Sequence, residues 1–353
     1  MYLLQINWEL WGLIIEKAAL ISIILGVSLL VAMYTTFAER KVAAILQDRR
    51  GPNRAGPFGL LQPLADGVKL FFKEEIIPTH SNKVLFILGP CLAMMTAMMT
   101  SAIIPWGGDV NAFGRTISLQ VADINIGILY VFGVVSMGVY GIMIGAWASN
   151  NKYSLMGGLR AASQIISYEL AMGIALIALL MCTQTMSLRE MVIQQQTGAW
   201  NVVKQPLGFI IFLVCVFAEC NRTPFDLPES ENELIGGYHT EYSSMKLGFY
   251  LFAEYINMFI SSAVITCLYF GGYDILPFVD ENQWGLNGTL MTILGIAALF
   301  GKIVFFLFLF MWVRWTIPRF RYDQLMNLGW KKLIPLALIN MLITGAVILY
   351  LQK

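Results

Sequence analysis

Residues 207–218 read LGFIIFLVCVFA and form the shortest of eight apolar runs in this 353-residue chain. A helix that crosses a membrane needs about 20 apolar residues. By length alone, this run therefore predicts a buried or re-entrant segment. The other seven runs reach or approach the length of a span. They cover about residues 18–38, 83–104, 125–148, 161–182, 246–270, 289–313 and 333–351.

The positions of the cationic residues decide whether the short run also crosses the membrane. Lys and Arg concentrate in loops that stay in the cytoplasm. The segment between the first two runs holds eight of them, and the segment before the last run holds five. Both segments face the same side only if an even number of crossings separates them, so a span at about 207–220 is required. We therefore predict eight transmembrane helices with both termini on the non-cytoplasmic side.

Composition supports an all-α integral membrane protein built as one membrane domain over residues 1–353. Apolar residues make up 58% of the chain and charged residues 13%, whereas soluble domains are about half apolar and a quarter charged. The mean hydropathy is +0.68. The net charge of +1 provides no global field to attract nucleic acid. No cleavable signal peptide is expected, because no small-residue cleavage site follows the first apolar run.

The sequence offers little material for a metal centre. Its five cysteines all lie in apolar runs without a C-x-x-C pair, and only two histidines occur. Zinc and iron–sulfur sites need clustered thiolates or imidazoles, so we expect no metal in this chain. No glycine-rich spacing for a dinucleotide or a nucleoside triphosphate is present either.

Residues 63–75 predict an amphipathic helix that lies in the cytoplasmic interface of the membrane. One face is apolar and the other polar. The apolar face holds Leu64, Val68, Phe71 and Phe72, and the polar face holds Asp66, Lys69 and Lys73. Anchoring at the membrane surface explains the cations but not Asp66 or the Gly-Pro-Asn turn at 51–53. These two features indicate a polar pocket that suits an amphiphile with a polar head and a long apolar tail.

Acidic residues crowd the predicted loop between the fifth and sixth spans. Seven of the chain's 22 acids lie between residues 219 and 254, the outer two of them in the flanking apolar helices: Glu219, Asp226, Glu229, Glu231, Glu233, Glu241 and Glu254. Only Arg222 and Lys246 oppose them. Repulsion and loss of hydration raise the pKa of carboxylates at such a boundary, which favours proton uptake and release near neutral pH. A solvated loop is the simpler alternative.

Two ionisable residues lie inside predicted spans, Glu169 and Lys302. A charged side chain within a membrane is costly and is a functional hypothesis by default. A structural hydrogen bond is the alternative for Glu169, and extension of the amine to the interface is the alternative for Lys302.

Four long blocks carry a family resemblance. They are ERKVAAILQDRRGPNRAGPFGLLQPLADGVKLFFKE at 39–74, WASNNKYSLMGGLRAASQIISYEL at 147–170, AECNRTPFDLPESENELIGGYHTEY at 218–242 and PRFRYDQLMNLGWKKLIP at 318–335. Through them the chain resembles the H-type membrane subunits of bacterial NADH-quinone oxidoreductase, the counterparts of mitochondrial NADH dehydrogenase subunit 1 in respiratory complex I. The similarity covers essentially the whole chain.

The resemblance implies a component of a bacterial inner-membrane complex that forms the membrane part of a quinone channel and couples quinone reduction to proton translocation. Quinone is then the substrate, while NADH, flavin and iron–sulfur clusters belong to partner subunits. The implied partners are the peripheral-arm subunits of the quinone site, the membrane-arm subunits and membrane lipid. The residues are compatible with ubiquinone, menaquinone or plastoquinone.

The resemblance also implies roles for individual residues. Positions bordering the quinone chamber match Arg40, Arg49, Asp66 and Arg314. Leu70 and Phe72 are implied as contacts of the quinone tail. An adjacent loop motif matches Arg222 and Asp226. A path of acids from the chamber into the membrane matches Glu169, Glu219, Glu229, Glu231, Glu233, Glu241 and Glu254.

Two alternatives stay open. Related subunits occur in ferredoxin- or deazaflavin-linked complexes and in membrane-bound hydrogenases, and the chain does not identify its electron donor. A stand-alone secondary transporter is a different class. Transporter cores often contain inverted repeats and a site near the middle of the membrane, whereas this sequence shows no repeat and concentrates its polar motifs in loops.

Overall fold

The computed structural model describes residues 2–112, 115–277 and 288–351, with side chains described outside residues 2–9, 111–112, 115 and 231. Within these ranges, seven helical segments are long and apolar enough to cross a membrane. They correspond to α1 (Tyr2–Leu46), α3 (Lys83–Thr100), α4 (Gly127–Ala148), α5 (Lys152–Thr183), α10 (Ser244–Tyr269), α11 (Gly288–Thr316) and α13 (Ile334–Leu351). This architecture confirms the predicted all-α integral membrane fold.

Six shorter helices connect or cover the long ones. They are α2 (Gln62–Phe72), α6 (Leu188–Gln196), α7 (Asn201–Lys204), α8 (Pro206–Glu219), α9 (Glu231–Leu234) and α12 (Tyr322–Asn327). A π-helical turn at Leu328–Leu333 joins α12 to α13. The predicted interfacial helix corresponds to α2, which ends where Lys73 turns to an extended ψ of 143°.

Helix α1 is much longer than the predicted span. Its 45 residues give a length of about 68 Å, more than twice the roughly 30 Å of a bilayer core. The helix continues after residue 38 because residues 39–46 contain neither Gly nor Pro, the residues that most often end a helix. It places Glu39 and Arg40 on a rigid helix rather than in a loop.

Helix α8 contains the short apolar run. Its 14 residues span about 21 Å, and Pro206 opens it at a position where the missing N–H breaks no helical bond. At its start, the Gln205 amide donates to Thr344 Oγ1 at 2.7 Å and accepts from Asn340 Nδ2 at 3.0 Å. At its other end, Gln164 Nε2 donates to the Ala218 carbonyl at 2.7 Å. Protein on both ends therefore satisfies polar groups that lipid could not.

Four connections meet at one end of the bundle, here called the cationic end: those between α1 and α3, α4 and α5, α8 and α10, and α11 and α13. Ser243 Oγ donates to the Glu74 carbonyl at 3.4 Å. Ser154 Oγ donates to the Tyr238 carbonyl at 2.8 Å. The Phe320 amide donates to the Pro224 carbonyl at 3.2 Å. The four sequence blocks are thereby brought together in space.

The connections at the opposite end contain elements that the apolar pattern did not predict. An antiparallel hairpin pairs β1 (Asp109–Ala112) with β2 (Arg115–Ser118), and α6 and α7 fill the segment before α8. Four-residue strands are too short to show a hydrophobic period, which is why the sequence gives no sign of them.

Candidate functional site

A cavity of about 350 Å3 lies between α1, α2 and α10. Its wall combines apolar and polar side chains. The apolar part includes Met33, Leu70, Leu247, Leu251 and Phe252, and the polar part includes Arg40, Asp66, Lys69, Lys73 and Tyr255. The polar face of α2 thus points into this cavity. The apolar face, with Leu64, Val68, Phe71 and Phe72, is exposed on the surface of the chain, as an interfacial helix requires.

An ion pair stands where this cavity meets a second one. Arg40 Nη1 lies 2.7 Å from Asp66 Oδ2, and Gln62 Nε2 donates to Asp66 Oδ1 at 3.3 Å. The second cavity, of about 760 Å3, is lined by Arg40, Gln62 and the arginine-rich segment that contains Arg49. Phe72 lies outside both cavities with 81% of its surface exposed. The two cavities together offer a polar, cationic end and a more apolar end.

Tyr255 connects the first cavity to a buried ion cluster. Its ring borders the cavity, and its hydroxyl donates to Glu39 Oε2 at 2.8 Å. Glu39 forms ion pairs with Arg314 and, at 3.7 Å, with Arg222. The Arg222 guanidinium also lies 4.2 Å from the centre of the Tyr255 ring, a favourable cation–π contact. Glu39 was not predicted as a site residue, although an acid at the end of an apolar run was the available signal.

The cluster continues from Arg222 to two acids of the predicted path. Arg222 Nη2 lies 3.9 Å from Glu254 Oε2, and the Tyr238 hydroxyl donates to Glu254 Oε1 at 2.8 Å. His239 Nδ1 lies 3.9 Å from Glu229 Oε1. Burial and the nearby charge of Glu254 raise the pKa of Glu229 to about 8. Glu229 therefore favours its protonated form more than an exposed carboxyl does.

Asp226 lies beside these acids and is held by Arg319, whose Nη2 is 2.6 Å from Asp226 Oδ2. Burial, reinforced by Glu229, raises the pKa of Asp226 to about 6, while Arg319 acts in the opposite direction. The pKa of Glu229 is thus raised further than that of Asp226. Such separation suits stepwise rather than simultaneous protonation.

Two more acids lie deeper in the bundle. Glu219 ends α8, and its Oε1 atom is buried with no hydrogen-bond partner among the residues that the structure describes. Ser136 Oγ donates to Glu169 Oε1 at 2.6 Å. Glu169 is close enough to Glu219 for the two carboxylates to interact electrostatically. Glu219 and Glu169 therefore continue the series of acids beyond Glu254, deeper into the bundle.

Glu233 and Glu241 lie on the outside of the cationic end. Glu233 pairs with Arg160 at 2.6 Å and has a half-exposed side chain. Glu241 accepts from Asn151 Nδ2 at 2.6 Å. The backbone of Glu231 opens α9, but its side chain falls outside the described part of the chain. The predicted acids whose side chains are described therefore divide into an inner group, with Glu169, Glu219, Glu229 and Glu254, and an outer group, with Glu233 and Glu241.

Lys302 lies near the opposite end of the bundle, away from the inner acids. Its Nζ donates to the carbonyls of Phe270, Gly272 and Asp274 and lies 4.4 Å from the centre of the Trp200 ring. The amine thus caps the carbonyl end of α10, where a positive charge is favourable. Among the described residues, no group of three or more His, Cys, Asp or Glu side chains is arranged to hold a metal ion.

Comparison with known proteins identifies the family. A model of the NADH dehydrogenase family matches residues 18–345. An NADH-quinone oxidoreductase H subunit of Cytophaga hutchinsonii is 68% identical over 336 residues, covering 95% of this chain and 97% of that protein. The H subunit of Flavobacterium johnsoniae is 65% identical over 338 residues, with 95% and 96% covered. An H subunit of Geobacter sulfurreducens is 45% identical over 357 aligned positions, with 97% and 99% covered. The chain therefore belongs to the NADH dehydrogenase family, together with bacterial proteins named as H subunits of NADH-quinone oxidoreductase.

Proposed function

We propose that the chain is the membrane subunit of a proton-translocating NADH:quinone oxidoreductase. It forms the membrane part of the quinone channel and couples quinone reduction to proton translocation. One observation carries this proposal: Tyr255 borders the cavity between α1, α2 and α10 and also donates a hydrogen bond to Glu39. A single side chain thereby joins a substrate-sized space to the buried ion cluster.

The shape and chemistry of the two cavities suit a quinone. The apolar tail would enter from the bilayer beside α2, along Leu70 and Leu251. The head would reach the polar junction, where Arg40 and Asp66 offer a donor and an acceptor to its oxygens. Reduction takes up two electrons and two protons per quinone. The electrons come from a partner subunit, since NADH, flavin and iron–sulfur clusters are assigned to partners.

Coupling follows the contacts from the cavity into the membrane. A change of charge on the quinone changes the electrostatic field at Tyr255 and Glu39. It thereby alters how strongly Arg222 pairs with Glu39, and hence how strongly Arg222 pairs with Glu254. When Arg222 moves toward Glu39, Glu254 loses a neutralising charge and gains affinity for a proton. Glu229 then responds, because its pKa depends on Glu254. The change can pass to Glu219 and Glu169 and on to the membrane-arm subunits.

The same proposal gives the chain an orientation. All eight apolar helices, including α8, would cross a bacterial inner membrane, with the cationic end in the cytoplasm as the positive-inside rule requires. Both termini would then lie on the opposite side. The peripheral arm would dock on the cationic end, where Arg49 and its neighbours line the larger cavity.

Asp66→Asn is expected to raise the KM for quinone about threefold to tenfold with a smaller effect on kcat. The substitution removes the charge that orients Arg40, and the pair is partly exposed, so the loss is modest. Steady-state quinone reduction by the assembled complex measures it. Asp48→Asn is the control, since Asp48 is an exposed acid that borders neither cavity. An unchanged KM in Asp66→Asn would remove this residue from the quinone site.

Glu219→Gln is expected to lower proton pumping about tenfold or more, because an amide cannot carry the proton. Glu233→Gln should have a smaller effect, since Glu233 is half exposed and paired with Arg160. Both variants are assayed in proteoliposomes for quinone reduction and for proton uptake. Full pumping and full quinone reduction in both variants would show that these acids are not the coupling path.

The electron donor separates this proposal from its alternative, a related subunit of a ferredoxin- or deazaflavin-linked complex or of a hydrogenase. A C-terminal tag allows the intact complex to be purified in mild detergent and assayed with each donor. Inhibitor-sensitive quinone reduction from NADH supports the proposal. Quinone reduction from ferredoxin or a deazaflavin alone, or hydrogen evolution, would assign the chain to the alternative.

A further inference from the structure

Among the residues that the structure describes, the hydrogen bonds and ion pairs of the inner acids do not connect Glu254 to Glu219. Within the described residues, Glu254 and Glu219 share no hydrogen bond or ion pair. They line the same cavity, of about 40 Å3, together with Asn257. A second cavity, of about 30 Å3, also borders Glu219 and Asn257. Asn257 is the one residue of α10 that borders both cavities.

Asn257 belongs to a short polar stripe on α10. It follows Glu254 by three residues and precedes Ser261 by four, so all three lie on one face of the helix. Ser261 borders the second cavity, whose other walls include Val135 and Phe212. A polar side chain among such apolar neighbours in a membrane helix is costly and is a functional hypothesis by default.

The Asn257 amide is not explained by helix packing. Polar side chains that hold membrane helices together do so by hydrogen bonds to a neighbouring helix. No hydrogen bond to the Asn257 side chain is found in the described part of the chain. Across the cavities, Glu219 Oε1 is buried and also has no hydrogen-bond partner among the described residues. Two unpartnered polar groups therefore face the same small spaces.

We propose that Asn257 is a positioning residue that orders water between Glu254 and Glu219. This proposal rests on the proposed coupling function. An amide has both a donor and an acceptor, and a cavity needs only about 10–15 Å3 to hold one water. The carboxyl O–H of Glu254 breaks and its proton passes to the water, which gives another proton to the Glu219 carboxylate. Glu254 ends as the anion and Glu219 as the neutral acid, while the water and Asn257 are unchanged.

Two variants of equal shape test the proposal in the assembled complex. Asn257→Val removes every polar atom, and Asn257→Thr keeps a hydroxyl on a side chain of the same outline. We expect Asn257→Val to lower proton pumping about tenfold or more and to raise the solvent deuterium isotope effect on quinone reduction. Asn257→Thr should keep at least about half of the wild-type pumping rate. The KM for quinone should not change, since Asn257 does not border the quinone cavity.

The control is Met258→Leu, which alters the adjacent buried side chain outside both cavities. Wild-type pumping and isotope effect in Asn257→Val would overturn the proposal. So would an equal loss in Asn257→Val and Asn257→Thr, because that result indicates packing rather than hydrogen bonding. If Asn257→Val does not assemble, Asn257→Ala and Asn257→Ser provide the same comparison with smaller side chains.

Glu219→Gln, measured in parallel, separates this inference from the function on which it rests. Loss of pumping in Glu219→Gln without loss in Asn257→Val overturns the role of Asn257 alone. Full pumping in both variants overturns the proposed coupling path as well.

Discussion

Arg222→Met is expected to remove quinone reduction almost completely, by more than about 100-fold. The Arg222 side chain is only 6% exposed and faces Glu39 and Glu254. Removing one partner of a buried ion pair costs about 3–5 kcal/mol, because the other charge is left unpaired in a medium of low polarity. Here two carboxylates lose a partner, and the Tyr255 ring loses its cation. Activity is measured on purified complex, after native gel electrophoresis has established how much complex assembles.

A comparison at Arg319 shows whether burial sets the size of the effect. Arg319 pairs with Asp226 at 2.6 Å, but its side chain is 30% exposed. Arg319→Met should therefore reduce activity much less than Arg222→Met. Equal activity in the two variants would contradict a central role for Arg222. Partial recovery in the double variant Arg222→Met, Glu254→Gln would identify the unpaired Glu254 charge as the cause, since Glu39 keeps Arg314 as a partner.

Gly237→Ala is expected to have the second largest effect, through backbone geometry. Gly237 has a φ of +60°, and a Cβ atom there would lie 1.8 Å from the Pro228 carbonyl oxygen. A left-handed backbone is unfavourable for Ala, and the Pro228 carbonyl is fixed in place. Strain and overpacking together should therefore lower the free energy of unfolding by about 2–5 kcal/mol. The loop must then shift, and it carries Tyr238, the hydrogen-bond donor to Glu254. Lower Tm and lower proton pumping are the expected results.

The adjacent glycine is a matched control. Gly236 has a φ of −144°, and a Cβ atom there would lie 3.4 Å from Thr240 Oγ1, an ordinary contact. Gly236→Ala should keep near-wild-type Tm and pumping. A Gly237→Ala complex as stable and as active as Gly236→Ala would show that the loop between α8 and α10 tolerates a different backbone.

Apolar content predicts which parts of the chain form membrane helices, but not where those helices end. The predicted spans at 18–38 and 161–182 lie inside α1 (Tyr2–Leu46) and α5 (Lys152–Thr183). Both helices continue beyond the predicted spans at the cationic end. The length of an apolar run reflects only the part of a helix that is buried in lipid. The helix itself continues, through its backbone hydrogen bonds, until a turn residue ends it. Helices α6 and α7 were not predicted, because the segment 183–206 has neither a long apolar run nor a clear hydrophobic period.

The site was predictable in its residue types and less so in its arrangement. Glu229 and Glu254 lie with Arg222 in the inner group, but Glu233 and Glu241 lie outside it. A loop without a helical or strand period does not indicate which side chains point inward. The contact between Tyr255 and Glu39 joins residues 216 positions apart. Only the packing of α10 against α1 brings them together, so no local pattern could identify it.

The partners of Gln205 have a consequence for the biosynthesis of the chain. Gln205 precedes α8, and its buried amide is satisfied by Asn340 and Thr344, both in the last helix. A ribosome makes this last helix more than a hundred residues after Gln205. During insertion, the Gln205 amide can therefore reach Cys182 Sγ, 3.3 Å away in the folded chain, before its partners Asn340 and Thr344 exist. The set of hydrogen bonds at the start of α8 is therefore complete only after the last helix has been made.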